Sequence, residues 1–185
     1  MSKPLVVNLF GAPSSGKSTT AAYVFSLLKM AGVNAELVTE FAKDKTWERN
    51  TTALANQVYM LGKQYYRLSR CEDQVECIVT DSPLPLNIFY NKDPILGEDY
   101  NRVVMNLFEQ YENMNYFLSR VKPYNPAGRN QTESESDALC PQLQELLRKH
   151  GVVYQELPGN GQSGDKIYKE VLCRIEELRK GAERK

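Results

Sequence analysis

Gly11-Ala12-Pro13-Ser14-Ser15-Gly16-Lys17-Ser18 carries the full G-x-x-x-x-G-K-[ST] spacing, and its reading decides the fold. Gly11 and Gly16 let the backbone turn so that successive N–H groups point inward, a concavity suited to phosphate oxygens. A helix opening at Lys17 adds partial positive charge at the same point. Lys17 brings an ammonium to the β- and γ-phosphates, and Ser18 offers a hydroxyl to Mg²⁺. These eight residues and the adjacent Thr19 are therefore predicted to bind ATP with Mg²⁺. An accidental Gly/Ser loop would satisfy the spacing but not its flanks. Here an apolar run, Pro4 to Phe10, precedes the loop. An amphipathic stretch follows, with Ala21, Val24, Phe25 and Leu28 at helical intervals.

Working outward, strand and helix patterns alternate. Gly32 closes the first helix, and Ala35 to Val38 reads as a second strand. Leu54, Val58, Leu61, Tyr65 and Leu68 mark one long helix from about Thr52 to Arg70. Val75 to Thr80 is apolar enough for a central strand. A helix around Asp99 to Tyr111 and a strand around Asn115 to Ser119 follow. A polar stretch from Lys122 to Asp137 contains Pro123, Pro126 and Gly128, which argue against helix before Asp137. Ala138 to His150 reads as a helix capped by Gly151, with His150 as a helix-end residue. Val152 to Leu157 reads as a last strand, and Ile167, Val171, Ile175 and Leu178 as a C-terminal helix. Such alternation implies a five-stranded parallel sheet flanked by helices, an α/β P-loop NTPase. Neither a repeat nor a linker divides residues 1–185, which read as a single domain.

Composition narrows the function classes. Lys plus Arg and Asp plus Glu are equal at 23 each, so a protein living by non-specific nucleic-acid binding is disfavoured. Cys71, Cys77, Cys140 and Cys173 form no C-x-x-C pair and are joined by a single histidine, which disfavours a zinc site or disulfide framework. No apolar run approaches the length of a membrane span, so a cytoplasmic protein without a membrane partner is expected.

Two acids fall at the carboxyl ends of predicted strands, where α/β sheets bind ligands. Asp81 ends Cys77-Ile78-Val79-Thr80-Asp81, and its carboxylate suits Mg²⁺, held through water. It also precedes Ser82-Pro83, a turn signal. Glu40 follows the second strand and could take the proton of an attacking hydroxyl. It could equally start a helix as a dipole-stabilised acid. Either acid fits the role of base. Asp44, a turn further on, is a weaker substrate-side candidate. Gln57 and Gln64 share a stripe that could hydrogen-bond a base edge, and Phe41, Trp47, Tyr59 and Tyr90 could stack on one. Lys63, Arg67 and Arg70 form a basic stripe, read as a solvated face in preference to a DNA track.

The runs Val7-Asn8-Leu9-Phe10-Gly11, Gly16-Lys17-Ser18-Thr19-Thr20-Ala21-Ala22, Thr39-Glu40-Phe41-Ala42-Lys43-Asp44 and Thr80-Asp81-Ser82-Pro83 resemble a family of small P-loop kinase-like proteins common in bacteriophages. The family is similar to ribosylnicotinamide kinase domains and, more distantly, to deoxynucleoside and thymidylate kinases. The resemblance covers about residues 4 to 178. It implies an ATP-dependent kinase, with a lid around residues 120–137 whose arginines close over the transferring phosphate. Arg129 is the lid residue it singles out as catalytic, beside Lys17, Glu40 and Asp81. It also implies an acceptor. Some members phosphorylate 5-hydroxymethyluracil in DNA, the first choice here; a free nucleoside, ribosylnicotinamide or a nucleoside monophosphate are the alternatives. Many thymidylate-type kinases carry an arginine after the acid of strand three, where this chain has Ser82, which favours a hydroxyl acceptor. The competing class is a regulatory ATPase. Asn91-Lys92-Asp93-Pro94 lacks the last Asp of a guanine-reading motif.

Overall fold

The computed structural model describes residues 3–125 and 132–182. In chain order its elements are β1 (Leu5–Phe10), α1 (Lys17–Met30), β2 (Ala35–Val38), α2 (Phe41–Trp47), α3 (Thr51–Ala55), α4 (Gln57–Ser69), β3 (Cys77–Thr80), α5 (Leu86–Tyr90), α6 (Gly97–Glu109), β4 (Glu112–Ser119), α7 (Glu133–Lys149), β5 (Gln155–Pro158) and α8 (Gly161–Ala182). The strands form one five-stranded sheet in the order β2-β3-β1-β4-β5. Every pairing is parallel, as the alternation of strand and helix requires.

All six residues of β1 are buried, because the sheet is covered on both faces. Leu5, Val7 and Leu9 pack with Ala21, Val24 and Leu28 of α1 and with Ile167, Val171 and Ile175 of α8. On the opposite face Phe10 meets Leu61 of α4, Val104 and Phe108 of α6 and Leu143 and Leu147 of α7. Asn8 is the polar exception on that second face. Its amide donates to Asn113 Oδ1 at 2.8 Å and Asn115 Oδ1 at 3.0 Å, so the buried group is paired.

Several local expectations change. The long helix over Thr52–Arg70 is two, α3 and α4. Asn56 between them is extended, and its side chain accepts the Tyr59 N–H at 2.9 Å. The side-chain cap offers the backbone a better partner there than continued helix. Val58, read as inward-facing, is 58% exposed, and Gln57, Met60, Leu61, Gln64 and Leu68 face inward. α7 starts at Glu133 and not at Ala138, through a capping box in which Thr132 and Glu135 bond each other's backbone N–H. β4 begins earlier than expected, at Glu112, and β5 later, at Gln155. The short helix α5 was not expected, whereas α2 starts at Glu40 as the alternative reading of that acid had it.

Candidate active site

Register brings the motifs together. Val38 pairs with Thr80 across β2 and β3, and Asn8 with Thr80 across β1 and β3. The residues just past those strand ends, Glu40, Asp81 and the Gly11–Ser18 loop, therefore meet at one edge of the sheet. Three segments far apart in sequence form one site because their strands are neighbours and parallel.

The loop is built as its spacing requires. Gly11 has φ 140°, and a Cβ there would sit 2.5 Å from the Leu118 carbonyl oxygen. Across the loop, a Cβ on Gly159 would lie 1.9 Å from Ser15 O, so the turn after β5 can back the loop only as glycine. Gly16 is the N-cap of α1, which has no side-chain cap and no acidic residue in its first turn. Its first N–H groups are thus left for an anion. Lys17 Nζ donates to Gly11 O at 2.8 Å and Ala12 O at 3.2 Å, which folds the ammonium over the loop.

Asp81 is almost fully buried, and its Oδ1 accepts the Glu40 backbone N–H at 3.0 Å. Asp81 thus orients Glu40 as well as standing at the end of β3. Glu40 is the N-cap of α2 and borders the cavity described below. Gln64 is spent on the same hinge: its Oε1 accepts the Phe41 N–H at 2.9 Å and its amide donates to Thr39 O at 3.4 Å. Gln64 is therefore a brace and not a base reader. Burial first, and the Glu40 carboxylate second, push the Tyr90 phenol up, so Tyr90 is neutral beside the acid.

Two cavities flank the phosphate loop. One, about 390 Å³, is bordered by Lys17, Ser18, Thr19, Glu40, Phe41, Gln57, Ser82, Asn87 and Tyr90. The other, about 420 Å³, lies between Thr19, Thr20 and Tyr23 of α1, Lys122 and Asn125, and the Gly159-Asn160-Gly161 turn. Asp44 lies outside both linings and pairs with Arg67. Arg70 pairs with Glu36 at 2.7 Å. Two of the three cations in the basic stripe are thus neutralised by carboxylates, as a solvated face would be. Trp47 is 63% exposed and borders neither cavity, whereas Phe41 and Tyr90 border the first. His150 is the C-cap of α7.

The residues present fit ATP and Mg²⁺. Ser15 Oγ is buried without a hydrogen-bond partner among the described residues, inside the same loop as the uncapped N–H groups. Among the described residues no group of three His, Cys, Asp or Glu could hold a metal unaided. Mg²⁺ keeps several waters and binds through phosphates, so it needs few protein ligands. Ser18 and Asp81 are the donors that would hold it.

α7 is tied to the phosphate loop. Ser136, 1% exposed, donates to Pro13 O at 2.8 Å, and the Asn125 N–H donates to Ser14 Oγ at 3.1 Å. Arg120 is held by Glu133 at 3.1 Å and by Asp137, and stacks over Tyr124. Arg129 lies outside the described residues.

The family model that matches this chain, described as an AAA domain, spans residues 6–163. The chain belongs to that AAA-domain family. No curated protein matches it. Among solved structures it is similar to thymidylate kinase from Ehrlichia chaffeensis, with a TM-score of 0.58 and 13% identity over 94% of this chain and 99% of that one. It is also similar to deoxyadenosine kinase from M. mycoides with bound dATP, with a TM-score of 0.54 and 14% identity over 92% and 99%. A third likeness is to NadR protein in complex with NR, with a TM-score of 0.66 and 16% identity over 90% of this chain but 51% of that one. The chain thus spans about half of the NadR chain. At these identities the likeness is one of fold, the P-loop α/β fold of small kinases.

Leu86 and Asn87 of α5, and the Gly159-Asn160-Gly161 turn, were missed in the sequence. Both had signals. Pro83 and Pro85 ahead of Leu86 suit a helix start. A Gly-Asn-Gly turn after the last strand falls at the ligand-binding edge of the sheet.

Proposed function

We propose that this chain transfers the γ-phosphoryl group of ATP to a hydroxyl group. The observation that carries the reading is Glu40 at the border of a cavity that it shares with Lys17 and Ser18, with no arginine among the described lining residues. A phosphate acceptor needs cations, usually arginines, to hold it beside ATP. An alcohol needs a base. Glu40 takes the acceptor proton as the alcohol oxygen bonds to the γ-phosphorus, and the bond to the β–γ bridging oxygen breaks to release ADP. Lys17 and the loop N–H groups hold the phosphates, and Asp81 holds Glu40 through its backbone. Bound Mg²⁺ neutralises charge that develops on the phosphate oxygens. The second cavity suits the base of ATP, since it also borders the phosphate loop and its lining does not include Glu40.

The acceptor favoured here is a nucleoside-sized alcohol. A hydroxymethylated pyrimidine belongs to that class, free or in DNA, but the pairing of Arg67 and Arg70 favours the free form. Labelled phosphate from ATP is offered to nucleosides, ribosylnicotinamide, nucleoside monophosphates and DNA carrying 5-hydroxymethyluracil. Transfer to an alcohol is the expected result. Hydrolysis that no acceptor stimulates would instead mark a regulatory ATPase, and transfer only to a phosphate group would overturn the hydroxyl reading.

A further inference from the structure

The polar lining of the Glu40 cavity has a direction. Gln57 and Asn87 both border it, and both are 9% exposed. Gln57 Nε2 donates to Leu54 O at 3.0 Å, and Asn87 Nδ2 donates to Leu84 O at 2.9 Å. These bonds settle which end of each amide is which, because a flipped amide would set oxygen against a backbone carbonyl. The nitrogen of each side chain is turned back to the backbone three residues upstream. The carbonyl oxygens, Gln57 Oε1 and Asn87 Oδ1, make no hydrogen bond among the described residues and are the ends left for a ligand. Both oxygens can only accept. Gln64, the other amide of the lining, has both ends spent on backbone. The hydroxyls of Ser82 and Tyr90 serve either way. Of the two lysines among the described lining residues, Lys17 belongs to the phosphate loop and Lys43 is an exposed rim residue. Phe41, Leu54, Met60 and Leu86 make the rest of the wall apolar.

We propose that this cavity selects an uncharged alcohol that presents N–H or O–H donors to Gln57 Oε1 and Asn87 Oδ1, and that these two oxygens reject anionic ligands. The proposal rests on the phosphotransferase reading, since it assigns the acceptor to this cavity. A ring imide, amide or amino group meets the requirement. A phosphate monoester or carboxylate brings only acceptors and a charge, against these two buried acceptors.

Calorimetric titration without ATP tests it with the common nucleosides, their N-methylated analogues lacking one ring donor, and their 5′-monophosphates. At least one nucleoside is expected to bind with one site per chain. Its N-methyl analogue is expected to bind at least about tenfold more weakly, because a buried carbonyl loses its partner. Its monophosphate is expected to bind more weakly as well. Asn87→Leu and Gln57→Met, checked for folding by thermal melting, should erase the difference between the nucleoside and its methylated analogue. Equal binding of the two ligands by the unaltered protein, tighter binding of the monophosphate, or no nucleoside binding would each overturn the proposal. The last of these needs no variant and so does not depend on folding. Selective binding with no phosphoryl transfer would sink the phosphotransferase reading and leave the selectivity standing. Transfer to an alcohol that is indifferent to methylation would do the reverse.

Discussion

Glu40 and Asp81 show how one residue's chemistry depends on its neighbour. Asp81 Oδ1 accepts the Glu40 backbone N–H, so Glu40→Gln leaves that anchor intact and removes only the basic oxygen. Transfer should fall about 10²-fold or more while ATP affinity holds, read by single-turnover kinetics beside nucleotide titration. Asp81→Asn keeps an oxygen for the same N–H but loses the charge. Its signature should be a higher Mg²⁺ concentration at half-maximal rate, a shift that Glu40→Gln should not produce. If the two variants exchange signatures, the roles of base and metal partner are reversed. Lys17 is a third case. Its Nζ lies on Gly11 O and Ala12 O, within the loop that its charge serves. Lys17→Ala should abolish transfer with an unchanged far-UV circular dichroism spectrum, since the glycines and not the ammonium shape the turn. Turnover near the unaltered level would remove this loop as the active centre.

At the scale of elements, the contrast between α1 and α7 matters most. α1 opens on Gly16 with no side-chain cap, which leaves its N–H groups for phosphate. α7 opens on a complete capping box and carries Glu133 and Glu135 in its first turn, so its donors are satisfied and its dipole is countered. The same turn places Ser136 on Pro13 O and Glu133 beside Arg120. A change at the cap should therefore reach the phosphate loop. Thr132→Ala should cost about 1 kcal/mol in urea unfolding, the usual value of a lost cap. It should also weaken ATP binding, because Ser136 is in the turn that frays. Lost stability with unchanged ATP affinity would uncouple α7 from the loop.

For the molecule as a whole, stability and chemistry occupy different layers. The α1 and α8 helices cover one face of the sheet, where Val24 and Leu28 meet Ile167, Val171 and Ile175 in a wholly buried cluster. Leu28→Ala removes buried volume there and should cost about 2–5 kcal/mol by chemical denaturation. That is a large share of the stability of an ordinary domain. Because Leu28 is about three turns past the phosphate loop, the ATP affinity of the folded fraction should stay near normal. A joint loss of affinity and stability would show that the loop depends on α1 packing along its whole length.

The sequence by itself determined the phosphate loop, the α/β class and the parallel sheet. These rest on local chemistry: two glycines at a fixed spacing, a lysine, and apolar runs of strand and helix period. It also marked Glu40 and Asp81, because each directly follows a strand. Element boundaries were less legible. Thr132-x-x-Glu135 was a readable capping box, but three helix breakers upstream outweighed it in the reading of that stretch. Asn56 was a readable cap inside an apolar period that spoke for one helix. What only the tertiary structure decided is which groups are already spent. Gln57 and Gln64 are the same residue type on one helix. One braces the Glu40 hinge with both ends of its amide, and the other keeps an oxygen for a ligand. Asp44 and Arg67 are neutralised by each other across 23 positions. Asn87 borders the cavity because α5 packs against α4, whose Gln57, Met60 and Gln64 line it too. A hydrogen bond is a pairing between distant segments, and the partner of a side chain is set by the packing of strands and helices, not by its neighbours in sequence.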